Sequence, residues 1–113
     1  MRDYHKKEED LGAILDGFGK AFPELKIEST QTGYLYRDAG KQSQIDILLG
    51  QPTSESGPKI KILNRYDPIE KTDNTIKAVL SSFLSGEEID QGYTPVDKAK
   101  NKDVGSRFTV QYD

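Results

Sequence analysis

The sequence predicts an α+β domain, with a mainly antiparallel sheet of about five strands carrying two helices in the order α-β-β-β-β-α-β. Three observations lead to it. Two segments space their apolar residues as one face of a helix. Between them the period drops to two, over successive short runs separated by turn residues. The length, 113 residues, suits a single domain with one core, spanning 1–113.

The first helix is expected over residues 3–22, where Leu11, Ile14, Leu15, Phe18 and Phe22 share a face. Asp3 stands at a capping position and Pro23 blocks extension. Gly12, Gly17 and Gly19 each cost about 1 kcal/mol against Ala in a helix interior, so the last turn is expected to loosen at Gly17. Residues 25–30 and 33–37 alternate, with Thr32-Gly33 as a tight connection. A turn at 38–43 precedes Ile45, Ile47 and Leu49 on one strand face; Leu48 on the other predicts cover on both sides. Residues 51–58 have the composition of an exposed hairpin loop. The next strand covers 59–66, and Asp67-Pro68 ends it.

Thr72 or Asp73 is then expected to cap a second helix with Ile76, Val79, Leu80, Phe83 and Leu84 as its apolar stripe. Gly86 stands at its expected C-cap. Residues 87–105 lack a clear period and read as a long polar loop. Residues 107–112 alternate as a terminal strand. The inner sheet face is expected to hold Leu25, Ile27, Ile45, Ile47, Leu49, Ile60, Ile62, Phe108 and Val110.

Composition narrows function. Sixteen Lys and Arg against nineteen Asp and Glu give a net charge of −3. That argues against general coating of nucleic acid while leaving room for a local basic patch. The absence of cysteine excludes disulfides, zinc-thiolate sites, iron–sulfur clusters and cysteine nucleophiles, and favours a reducing compartment. The first ten residues contain no apolar stretch of signal type, and no run nears the roughly 18 apolar residues of a membrane span. The expectation is a soluble cytoplasmic or intracellular protein that does not engage a membrane.

No catalytic set is legible. His5 is the single histidine and reads as solvated near a helix start. Nucleophile-elbow, P-loop, dinucleotide and zincin patterns are absent. Adjacent acids diverge on a helix, so Glu8, Glu9 and Asp10 read as a solvated face, and Glu87, Glu88 and Asp90 as loop solvation, with neither set a metal site. No catalytic residue, metal or cofactor is expected.

The functional handle is a cationic stripe. In a strand over 59–66, Lys59, Lys61 and Arg65 face away from Ile60 and Ile62. Arg107, Thr109 and Gln111 join them if the two strands are neighbours, and Tyr34, Tyr36 and Tyr66 are available aromatics. Cations beside stacking rings suit single-stranded nucleic acid. Lysines on exposed strands also serve simply to discourage aggregation.

The element order, with Ile45-Asp-Ile-Leu-Leu49, a hairpin, and Lys59-Ile-Lys-Ile-Leu-Asn-Arg65, resembles the core of the PD-(D/E)xK nuclease fold. In that family a strand Asp is followed on the next strand by Glu/Gln-x-Lys, and the carboxylates hold Mg²⁺ for phosphodiester hydrolysis. Asp46 matches the first position, but Lys61 stands at an acid position and Leu63 at the lysine position. The resemblance implies an inactive relative that binds nucleic acid.

The leading expectation is therefore a small non-enzymatic binding or accessory protein, of the kind common in phages and mobile elements. It would act on a macromolecular partner, protein rather than nucleic acid, through its sheet face or its 87–105 loop. Candidate contact residues are Lys59, Lys61, Arg65 and Arg107. The nuclease-like reading is the runner-up. A third is a structural subunit that pairs through its C-terminal strand.

Overall fold

Alternation turns every second strand residue to the same face, and in this chain the large apolar residues concentrate on one of the two. That face needs a cover of helices. The computed structural model, which describes residues 2–40, 44–55, 57–96 and 105–113, supplies one. A 3₁₀ turn (Tyr4–Lys6) leads into α1 (Lys7–Ala21). The strands β1 (Lys26–Thr30), β2 (Gly33–Arg37), β3 (Gln44–Gly50) and β4 (Lys59–Asn64) follow. Then come α2 (Ile69–Leu80), α3 (Gly86–Gly92), β5 (Tyr93–Thr94) and β6 (Ser106–Gln111). The sheet is antiparallel, in the order β1-β2-β3-β4-β6-β5. The α+β class holds, with six strands and three helices among the described residues instead of five and two.

One core joins the layers. Ile45, Ile47, Ile60, Ile62, Phe108 and Val110 of the sheet meet Leu11, Ile14 and Phe18 of α1, Ile76 and Leu80 of α2, and Ile89 of α3. Ile27 departs from expectation. Its register places it beside Tyr36 and Ile45, on the helix side, yet it is 52% exposed because β1 is the outermost strand and the helix layer stops short of it. Leu49 is half-buried. Leu48 is half-buried too, and among the described residues the expected cover on its side is not found: the buried faces of the three helices join the opposite face.

α1 does not loosen at Gly17 but runs to Ala21, two residues before Pro23. Gly17 has a packing role instead. A Cβ there would come within 2.6 Å of Val79 Cγ1, so glycine lets α1 and α2 approach closely.

α2 begins earlier than expected. Pro68 is its N-cap, and Thr72 and Asp73 lie buried inside the helix rather than capping it. Asp73 points into the fold because partners await it there. The helix ends at Leu80, and its stripe continues through a turn to the half-buried Phe83 and buried Leu84. Gly86 is not a C-cap but the first residue of α3. Ser85 caps that helix by a reciprocal box with Glu88, its hydroxyl accepting from the Glu88 N–H at 3.1 Å and its own N–H donating to the Glu88 carboxylate at 3.1 Å. The Ser85 N–H holds the Glu88 carboxyl below its ordinary range. The polar stretch expected to be a loop therefore opens with a helix and a short strand, while residues 97–104 lie outside the described residues.

Leu80, 1% exposed, is the deepest large position of α2 apart from Ile76. Leu80→Ala should lower unfolding free energy by about 2–5 kcal/mol, measured by urea denaturation. A loss below about 1 kcal/mol would contradict docking of α2 on the sheet.

Candidate functional site

The side of the sheet that is helix-free among the described residues is assembled by register. One row across it reads Glu28, Leu35, Asp46, Leu63, Arg107 and Thr94; the next reads Thr30, Gly33, Leu48, Lys61 and Thr109. Lys59 lies between Gly50 and Gln111, and Lys26 opposite Arg37. The strands thus bring five cations, Lys26, Arg37, Lys59, Lys61 and Arg107, to this face against two carboxylates, Glu28 and Asp46. Arg65 is exposed and continues the row just past β4. The expected adjacency of the two basic strands is present as the β4–β6 pair. Leu35, Leu48 and Leu63 stand on three adjacent strands within this charged frame, each half-buried. A hollow of about 490 Å³ at one end of the face brings Leu48, Lys59 and Lys61 together with Thr32 and Gly50.

The aromatic half of the expected site is elsewhere. Tyr34 and Tyr36 share the inner face with Ile47 and Ile45. Tyr36 is buried edge-on against Phe18, and Tyr66 sits edge-on against Phe22 while donating to Glu24 at 2.9 Å. None of the three stands beside the basic residues, so the cations and the rings expected to cooperate lie on opposite sides.

Asp46 is flanked across its row by Leu35 and Leu63, and its recorded hydrogen bond comes from Gln44 at 3.3 Å. The other strand carboxylate on this face, Glu28, lies two strands away beyond Leu35, and no group of three metal-ligating side chains occurs among the described residues. The acid–acid–lysine arrangement of the resembled nuclease core is thus not assembled here. His5 is 74% exposed beside Asp3, which accepts from the His5 N–H at 3.0 Å.

Two buried carboxylates escaped the sequence reading. Asp73 accepts from Asn64 Nδ2 at 2.7 Å, the Tyr93 hydroxyl at 2.7 Å and the Ser106 hydroxyl at 2.6 Å. Asp10, expected on a solvated face, is 2% exposed. It accepts from Arg2 Nε at 2.5 Å and Nη2 at 3.0 Å, and from the Tyr112 hydroxyl at 2.7 Å. A sequence signal existed: each acid lies at helical spacing from inward apolar residues, Asp10 with Ile14 and Asp73 with Ile76 and Leu80. Each carboxylate gathers side chains from separate elements, so the two networks tie helix to sheet and to the N-terminal segment.

Burial, and then its bond to Asp73, pushes the Tyr93 phenol up to about 12. Burial also raises Tyr36 to about 12, and raises Tyr112, which donates to Asp10. A raised phenol pKa favours the folded state while the unfolded phenol, near 10, stays protonated, and this advantage fades as pH climbs from 10 toward 12. Stability should therefore fall over that window, and Tyr93→Phe should flatten the fall. Denaturant midpoints at pH 8, 10 and 11 would measure it; equal slopes in variant and parent would count against the Asp73–Tyr93 bond.

No family model matches the chain, and no curated protein or solved structure shows significant similarity to it.

Proposed function

We propose that the protein is a non-enzymatic binding module whose helix-free sheet face docks on an acidic protein surface. The observation that carries this reading is the frame of five strand cations around Leu35, Leu48 and Leu63. Apolar centres ringed by polar groups are the usual anatomy of protein interfaces. A single-strand nucleic-acid platform wants aromatic rings on the basic face, and the strand tyrosines lie on the other one. Protein is accordingly favoured over nucleic acid. The helices add to the polarity: apart from the buried Asp10 and Asp73, α1, α2 and α3 carry seven carboxylates and four lysines. Such a charge dipole orients an approaching acidic partner toward the sheet.

The other expected surfaces have less support. The described part of 87–105 is tied to the core through Ile89 and Tyr93. The C-terminal strand is already flanked, by β4 on one side and on the other by β5 and an Arg2–Tyr112 bridge.

The test is capture from the native host with the parent protein and with a Lys59→Glu, Lys61→Glu, Arg107→Glu variant. The parent should retain an acidic protein that the variant loses, with thermal unfolding of the two alike. Binding of an oligonucleotide weakened by the same substitutions, or Mg²⁺-dependent cleavage lost in Asp46→Asn, would replace this reading with the nucleic-acid one. Identical captured proteins from parent and variant would remove the sheet face as the contact surface.

A further inference from the structure

Among the described residues the sheet has one full-length open edge. β1 is terminal in the strand order, and all five of its residues are exposed. The opposite terminal strand, β5, has two residues, and α3 precedes it directly. β1 has no proline, glycine or bulge to blunt it. It also carries Ile27, 52% exposed and, with Tyr4, one of two large apolar side chains so exposed among the described residues.

The outward hydrogen-bonding groups of β1 follow from the ladder. The Leu49 N–H donates to the Thr32 carbonyl at 2.8 Å, so Gly33 and Leu48 form a non-hydrogen-bonded pair. Gly33 then turns its own N–H and C=O toward Thr30. Alternation directs Thr30, Glu28 and Lys26 inward to β2 and aims the N–H and C=O of Ser29 and Ile27 outward.

We infer that β1 is a self-association edge, where a second copy of this chain pairs antiparallel about a two-fold axis between the two Ile27 residues. This register satisfies three demands together. Ile27 meets its own copy with the outward N–H and C=O groups facing each other. Lys26 stands opposite the copy's Glu28, and Glu28 opposite the copy's Lys26. Both helix layers stay on one side, so the two open faces become one continuous surface. Moving the register by one pair in either direction sets Lys26 against Lys26 or Glu28 against Glu28, and like charges directly opposite are destabilising. The lysine that guards the edge against indiscriminate pairing thus becomes complementary in this one register. Five residues of strand bury less than a standard interface, so the dimer is weak and concentration-dependent.

Sedimentation velocity from about 10 μM to about 1 mM, a range set by weak affinities, tests this. The parent's mass should rise toward two chains. Glu28→Lys should raise the dissociation constant about tenfold or more, since two opposed pairs become like-charged. Adding Lys26→Glu to that variant should restore the parent behaviour. As an independent measurement in this cysteine-free chain, Ile27→Cys should oxidise readily to a disulfide dimer, because hydrogen-bonded antiparallel pairs stand about 5.5 Å apart at Cα. Ser29→Cys, whose opposite residue would be Leu25, should not. A monomer throughout the range, a dimer indifferent to Glu28→Lys, failure of the double exchange to restore it, or equal cross-linking at 27 and 29 would each overturn the inference.

Discussion

Asp73 fixes how the helix layer meets the sheet. Its carboxylate is buried without a recorded cationic partner and takes its hydrogen bonds from β4, β5 and β6 together, through Asn64, Tyr93 and Ser106. All three donors reach it only while Asn64 pairs with Ser106 and Tyr93 with Phe108. A one-residue slip of either partner strand would turn its donor to the open side and strand the carboxylate in an apolar core. Apolar packing alone is less exacting, because cores accept many arrangements of similar volume. Asn64 also donates to the Ile69 carbonyl at 3.2 Å and accepts from the Tyr66 N–H at 2.9 Å, which shapes the connection between β4 and α2. Asp10 does the corresponding work at the other end, where α1, Arg2 and Tyr112 converge.

Where the sequence was legible, one dominant period carried the message. Ile45, Ile47, Ile60, Ile62, Phe108 and Val110 alternate without competition, and all six lie in the core. The same rule failed at Ile27, since alternation gives the face of a strand and not the extent of the layer covering it. Helix boundaries failed where a residue type has two uses. Asp73 resembles a cap by chemistry and is an interior acceptor in fact. Gly86 resembles a terminator and begins a helix. Ser85 and Glu88 stood at capping-box spacing, a signal masked by the polarity of the stretch around them. Of the candidate site, the joining of the two basic strands was readable because both alternate. The side taken by Tyr34, Tyr36 and Tyr66 was not, because an amphipathic ring suits either face and only neighbouring helices decide.

The net charge of −3 averages two unlike surfaces. Acids gather on the helices, where α3 carries Glu87, Glu88 and Asp90 without a base. Cations gather on the strands, where Lys59, Lys61 and Arg107 come from two neighbours paired along their whole length. The described helices lie on one side of the sheet, so the charged strand residues, which here are mostly cations, gather on the other. A composition count cannot register it. Of the nineteen acidic residues the strands bring only Glu28 and Asp46 to the positive face.

The side of the sheet away from the described helices carries more than small and charged residues. Here three adjacent strands, β2, β3 and β4, each place a leucine on that face, and Asp46 is hemmed between two of them. Neighbouring side chains cover these leucines only in part. Their apolar surface would gain most from further burial, and the surrounding cations set the sign of whatever buries it. Ile27 stands in a similar position at the margin of the helix layer, with the outward N–H and C=O groups of β1 around it. Both exposures have one origin: the described helices do not reach every apolar residue that the strands present.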